Sequence, residues 1–245
     1  MSICVFLKII YNRFRLFCFS IVKSCMGSQN LSKYMFLTDE ITECQVCKEI
    51  QYLAKHVSDL FGQVRALSKV TTEKESELFF REVKKLYNAI IYLKNDLLFG
   101  LKVLQKSICE SRNEIYRLQA EVQALSDIAK SCKRLAASMH RELDLRKNFT
   151  KRQQEHLGQM LQFANESLLQ MLRVLQNTTS DIETDLSFSI ETEINNFCIQ
   201  LKNQNFMDIK SGEYSNSIGA FYIELIGECE ILANYVQNVV NAHMK

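Results

Sequence analysis

The chain of 245 residues contains no proline, where average usage would supply roughly twelve. Proline breaks helices because it lacks an amide hydrogen and its ring clashes with the carbonyl four residues back. A chain without it can sustain long helices that only short polar turns interrupt. Only 7 glycines and no tryptophan accompany that absence, and a 47% hydrophobic content can fill a core. These features predict an all-α protein.

Apolar spacing supports the prediction from about Asp39 onward. Thr38 or Asp39 is the expected N-cap of a first helix carrying Leu53, Val57, Leu60, Val64 and Leu67. A second opens in "TTEKESELFF" and presents Phe79, Val83, Leu86, Ile90, Leu93, Leu97, Leu101 and Leu104. The third is the most regular, with Ile115, Leu118, Val122, Leu125, Ala129, Cys132, Ala136, Met139 and Leu143 on one seam. Such a seam suits shallow antiparallel packing in a bundle. After the charged break "DLRKNFTKRQQE", a fourth helix carries Leu157, Met160, Ala164, Leu168, Met171 and Leu175. "NTTSD" is expected to cap a fifth, through Ile182, Leu186, Ile190, Ile194, Phe197 and Leu201. "NQNFMDIKSGEYSNS" reads as the last turn, and a sixth helix runs from about Ser217.

A displacement of 97 residues lays "SCKRLAA" (131–137) on "ECEILAN" (228–234), matching Cys132 to Cys229, Leu135 to Leu232 and Ala136 to Ala233. The same displacement matches Leu104 to Leu201 and Asp96 to Glu193. The expected organisation is a segment and linker at 1–38 and two three-helix repeats at 39–147 and 148–245.

Charge and cysteine usage narrow the function. Lys8, Arg13, Arg15 and Lys23 stand in residues 1–26 without a single acid, so the remainder carries −2. That balance speaks against nucleic acid as a partner. Residues 1–26 are apolar but too interrupted by charge to span a bilayer. They fit a basic helix on a membrane surface, or an extension that never packs. Nine cysteines scattered along apolar faces indicate a reducing compartment rather than a disulfide framework. In "CQVC", Cys44 and Cys47 lack the second CxxC of a zinc site, so packing is the expected role. His56, His140, His156 and His243 fall on four different helices with no nucleophile or acid to pair with. No catalytic site is expected.

The last helix poses a sharper question. Glu230, Asn234, Asn238 and Asn241 lie one above another, with Glu230 and Asn234 about 100° round from the apolar line of that helix. Glu193, in "ETEIN", is placed to approach from the preceding helix. Carboxylates converging from neighbouring helices make oxygen-rich sites for divalent metal ions, while acids and amides also border any amphipathic helix.

"ETEINNFCIQLKNQN" and "SGEYSNSIGAFYIELIGECEILANYVQNVV" resemble the end of a PhoU-like domain, most of all the cytoplasmic C-terminal domain of bacterial sodium/phosphate cotransporters. "EVQALSDIAKSCKRLAASMHREL" and "NFTKRQQEHLGQM" resemble its middle more loosely. The resemblance implies a six-helix bundle of two three-helix repeats and a non-enzymatic role in phosphate transport at the inner face of the cell membrane. It implies as partner a phosphate transporter membrane domain, or a second copy in a dimer. The metal-binding E-x-x-x-D motif of such proteins would fall on Glu230 and Asn234, with a first copy on Lys133 and Ala137. Both copies depart from it. Lysine repels a cation and alanine offers no ligand, so a weakened divalent metal site at Glu193, Glu230 and Asn234 is the most that remains. Cotransporters also carry a membrane-embedded portion ahead of this domain, for which the chain has no room. A stand-alone regulator and a truncated cotransporter both fit. The alternative is a helical-bundle scaffold whose third helix pairs with itself or with another bundle.

Overall fold

A computed structural model describes residues 31–107, 112–176 and 181–244. Every element among them is helical: α1 (Leu31–Leu67), α2 (Glu73–Ser107), α3 (Arg112–Arg141), α4 (Leu143–Lys147), α5 (Lys151–Gln176), α6 (Asp181–Ser211) and α7 (Asn216–His243). Residues 1–26 and the caps expected at 177–180 lie outside the described residues, as do the side chains of Cys44, Leu104 and Ile182.

Each of α1, α2 and α3 packs on the other two, and so does each of α5, α6 and α7. The two trios meet where α3 lies along α7 and α1 along α5. Both meetings are antiparallel, and both bring residues 97 apart into contact. The Ser131 hydroxyl donates to a Glu228 carboxylate oxygen at 2.9 Å, and Arg65 Nη2 donates to Gln162 Oε1 at 2.7 Å. An element facing its own counterpart, residue to matching residue, is what a two-fold relation between the trios would produce.

The predicted third seam is buried at all nine positions, eight of them on α3 from Ile115 to Met139 and the ninth, Leu143, at the start of α4. So is the α7 line Tyr222, Leu225, Ile226, Cys229, Ala233, Val236 and Val240. Because α1, α2 and α7 already cover α3, that seam cannot serve to pair α3 with another copy. The scaffold alternative loses the surface assigned to it.

Several expectations are corrected. Among the described residues a short seventh helix, α4, joins the six expected, inside the charged break. Its Arg146 turns inward and donates to the carbonyl of Leu67 at 2.8 Å and to that of Val70, closing the C-terminal end of α1. The first helix begins at Leu31, so Thr38 and Asp39 lie inside it and the expected linker is partly helical. Leu186, expected in the core, is 43% exposed, while Ile194, Cys198 and Leu201 face inward. The fifth predicted helix also runs on to Ser211, through most of the stretch read as a turn.

That extension is held from outside the helix. Gly212 takes φ 80°, a left-handed conformation that glycine enters without strain. Its amide donates to Ile209 O at 3.1 Å and the next to Asp208 O at 3.0 Å. Arg152 of α5 reaches Asp208 at 2.7 Å and Glu213 at 2.9 Å, and the Tyr214 hydroxyl donates to Asn205 at 3.0 Å. Burial pushes the Asp208 pKa up, but hydrogen bonds from Gln204 and Tyr214 and the Arg152 charge outweigh it and hold the carboxyl below the usual range. A carboxylate depressed in the folded state contributes stability above its unfolded pKa of about 3.9 that is lost as pH falls through the lower folded value. Arg152→Gln is therefore expected to cost about 1 kcal/mol at pH 7. The difference should shrink as pH falls through the lowered folded value of Asp208, as read from urea unfolding at pH 7 and along an acid series.

Candidate functional site

The polar stripe of α7 divides once its neighbours are in place. Asn234 and Asn238 are exposed, and Asn241 accepts a bond from Gln237 at 3.3 Å. Glu230 is half-buried and meets α6, where Lys202 Nζ lies 2.8 Å from its Oε2 and the Cys198 thiol donates to the same oxygen at 3.2 Å. Burial pushes the Glu230 pKa up, but those two bonds and the lysine charge hold it low. Burial, followed by the bond to Glu230, raises the Cys198 thiol to about 11, so it stays protonated at neutral pH. Glu193 is exposed and lines a different feature. That is an open hollow of about 670 Å³ between α5 and α6, walled by Phe163, Phe188 and Phe197.

Two further acids of the "YIELIGECE" stretch were not singled out in the sequence, and both cross to α3. Glu228 accepts from Ser131 and lies 3.1 Å from Arg134 Nε. Glu224 accepts from the Ser138 hydroxyl at 2.5 Å and lies 3.8 Å from Arg141. The 97-residue offset was the available signal, since it already pairs Glu228 with Ser131.

Glu224, Glu228 and Glu230 thus each face a basic side chain of the same chain, and among the described residues no group of three or more His, Cys, Asp or Glu converges as metal ligands do. The donor set does not fit a divalent ion. Lys202 stands where the ion would have to sit against Glu230, and its ammonium would repel the incoming charge. Adding 1 mM magnesium or manganese is expected to leave the melting temperature unchanged, and elemental analysis to find no stoichiometric metal. A one-to-one metal content that Glu230→Gln abolishes would restore the site.

A second constellation was also missed. His140 Nδ1 lies 2.8 Å from the Ser76 hydroxyl and Nε2 lies 3.3 Å from Glu77, while the ring stacks on Phe80 at 4.6 Å. Ser76, His140 and Glu77 are the residue types of a hydrolase triad, but Ser76 is 0% exposed. A nucleophile has to reach its substrate, and this one is sealed beneath the histidine. The trio ties the start of α2 to the end of α3.

No protein-family model matches the chain, nor does any curated protein sequence. Solved structures do. The phosphate transport system regulatory protein PhoU from Streptococcus pneumoniae superposes with a TM-score of 0.61 over 83% of this chain and 94% of that one, at 16% identity. The chain has a PhoU-like fold. A PhoU-like phosphate regulatory protein from Shewanella oneidensis MR-1 agrees, with a TM-score of 0.57, 14% identity and coverage of 81% of this chain and 97% of that one. Neither match concerns a cotransporter domain. In this version of the PhoU-like fold, the acids at the α3–α7 and α6–α7 seams are neutralised internally by Arg134, Arg141 and Lys202.

Proposed function

We propose that this protein is a regulatory or accessory component of phosphate transport, acting by protein–protein contact with the membrane domain of a phosphate transporter at the inner face of the cell membrane. The observation that carries this reading is the match to the PhoU structures along nearly their whole length. The partner-binding surface is the outer side of α6. Phe188, Ile199 and Phe206 are all exposed there, Phe206 by 66%, and their spacings of eleven and seven residues place them on one line of the helix. Exposed apolar side chains in such a row mark contact with a macromolecule rather than with a small polar substrate. No described helix is long and apolar enough to cross a membrane, so the transporter contact would be made from outside the bilayer.

Light scattering after size exclusion, with and without the detergent-solubilised membrane domain of a sodium/phosphate cotransporter, tests this reading. A complex is expected, and Phe188→Ser with Ile199→Ser should abolish it while leaving helicity intact. Self-association alone, indifferent to the transporter, would favour a scaffold built on the same α6 row.

A further inference from the structure

On α3, Lys130, Lys133, Arg134 and Ala137 fall within about 100° of arc. With Tyr87 of α2 they line an open hollow of about 320 Å³. Lys133 Nζ sits 4.3 Å from the centre of the Tyr87 ring, a cation–π contact that restrains an otherwise flexible chain. Lys130 spends one donor on Asp127 at 2.7 Å, and Arg134 directs Nε to Glu228 at 3.1 Å. Lys133 forms no salt bridge among the described residues. Three cations against two carboxylates leave the hollow net positive, and Ala137 contributes only a methyl group to its wall. The corresponding place in the second half differs in sign. There the 97-residue offset sets Glu230 against Lys133, and Lys202 already neutralises that acid.

We propose that the hollow lined by Tyr87, Lys130, Lys133, Arg134 and Ala137 binds a phosphate group, free or as a monoester. Ammonium groups attract a tetrahedral oxyanion as point charges, and a guanidinium adds paired N–H donors in one plane. The Tyr87 ring holds Lys133 in position before the anion arrives, which lowers the ordering cost of binding. In so open a place water screens the charges, and two or three charge-assisted hydrogen bonds support a Kd on the order of 1 mM. The inference stands on charge and space alone and is separate from the proposed role in phosphate transport, which failure to bind would leave intact.

Isothermal titration of the full chain with inorganic phosphate, and separately with glycerol phosphate, at ionic strength held constant with chloride, tests the site. Saturable binding is expected. Lys133→Gln should weaken it at least about tenfold, and Ala137→Leu should do the same by filling the hollow. Lys151→Gln, at a side chain 90% exposed at the start of α5, should leave it unchanged. Far-UV circular dichroism checks that each variant keeps its helices, and the two hollow variants act by different means, so the loss of one fold does not remove the test. Equal affinity for the two ligands identifies the phosphoryl group as the recognised unit, and a preference for the ester adds a contact beyond it. Absence of saturable binding to the wild type, retention of binding in Lys133→Gln, or an equal loss in Lys151→Gln would overturn the proposal.

Discussion

Arg117→Ala is expected to lower stability by about 3 kcal/mol and the melting temperature by about 6–12 °C. Arg117 stands near the start of α3 and reaches Glu121 through Nη1 at 2.5 Å. It bonds both oxygens of Glu114 through Nε at 2.9 and 3.0 Å. The same guanidinium donates to the carbonyl of His243 at 3.3 Å, tying the end of α7 to α3. The bond from Arg117 is the main reason the Glu114 pKa lies below its ordinary range. The cost arises chiefly at Glu121, whose side chain is 2% exposed. Without the guanidinium that carboxylate keeps the His243 ring nitrogen at 3.2 Å but loses its strongest partner in a poorly solvated place, and an under-paired buried charge costs more than a lost surface pair. The combined change Arg117→Leu with Glu121→Leu should recover most of the loss, because it removes the under-paired charge as well. Thermal melts of the single and double variants distinguish this from a simple loss of contact area, for which the double variant would be worse.

Arg146→Ala is expected to cost about 3 kcal/mol for a different reason. Arg146 has no carboxylate partner among its hydrogen bonds. It donates instead to the carbonyl of Leu67, one of the acceptors that the end of α1 leaves exposed, and to that of Val70 in the turn just beyond it. Burial lowers its pKa to about 10, so it remains charged at neutral pH and its bonds are charge-assisted. Removing it strands the Val70 carbonyl beneath α4 and leaves that of Leu67 with the Val70 amide alone, at 3.1 Å. Hydrogen exchange should accelerate most in the last turn of α1, and Arg146→Lys should rescue the protein only in part, since an ammonium lacks the planar fork that spans both carbonyls. Uniform exchange across the molecule would show that Arg146 acts by filling space instead.

Both predictions rest on charged residues that periodicity treats as surface. Arg117, Glu121 and Arg146 each occupy a position that a helical wheel assigns to the polar side or its border, and only the neighbours make them interior. The same limit explains α6. Its apolar residues are spread around the helix, Ile194 and Leu201 inward and Phe188, Ile199 and Phe206 outward, so no single line could say which face packs. On α3 and α7 one face is apolar and the other is not, and those lines were legible without error.

The candidate site divides in the same way. Glu230 was legible as a polar position bordering a core helix, because its spacing from Cys229 and Ala233 follows from the helical period alone. Its chemistry was not legible. Whether a carboxylate meets a metal, a lysine or water depends on a residue 28 positions away, Lys202, and no local pattern in the sequence sets that approach. The same holds for His140, which the sequence leaves isolated and the packing of α2 on α3 sets between Ser76 and Glu77.

The absence of proline and the helical spacing of the apolar residues were enough to determine an all-helical bundle, because burying an apolar stripe is a local property of each helix. Tertiary structure alone decided which charges were buried, which acids were neutralised and where a lysine was left over. Those depend on distances between side chains far apart in the chain, and electrostatic energy changes steeply over a few ångströms.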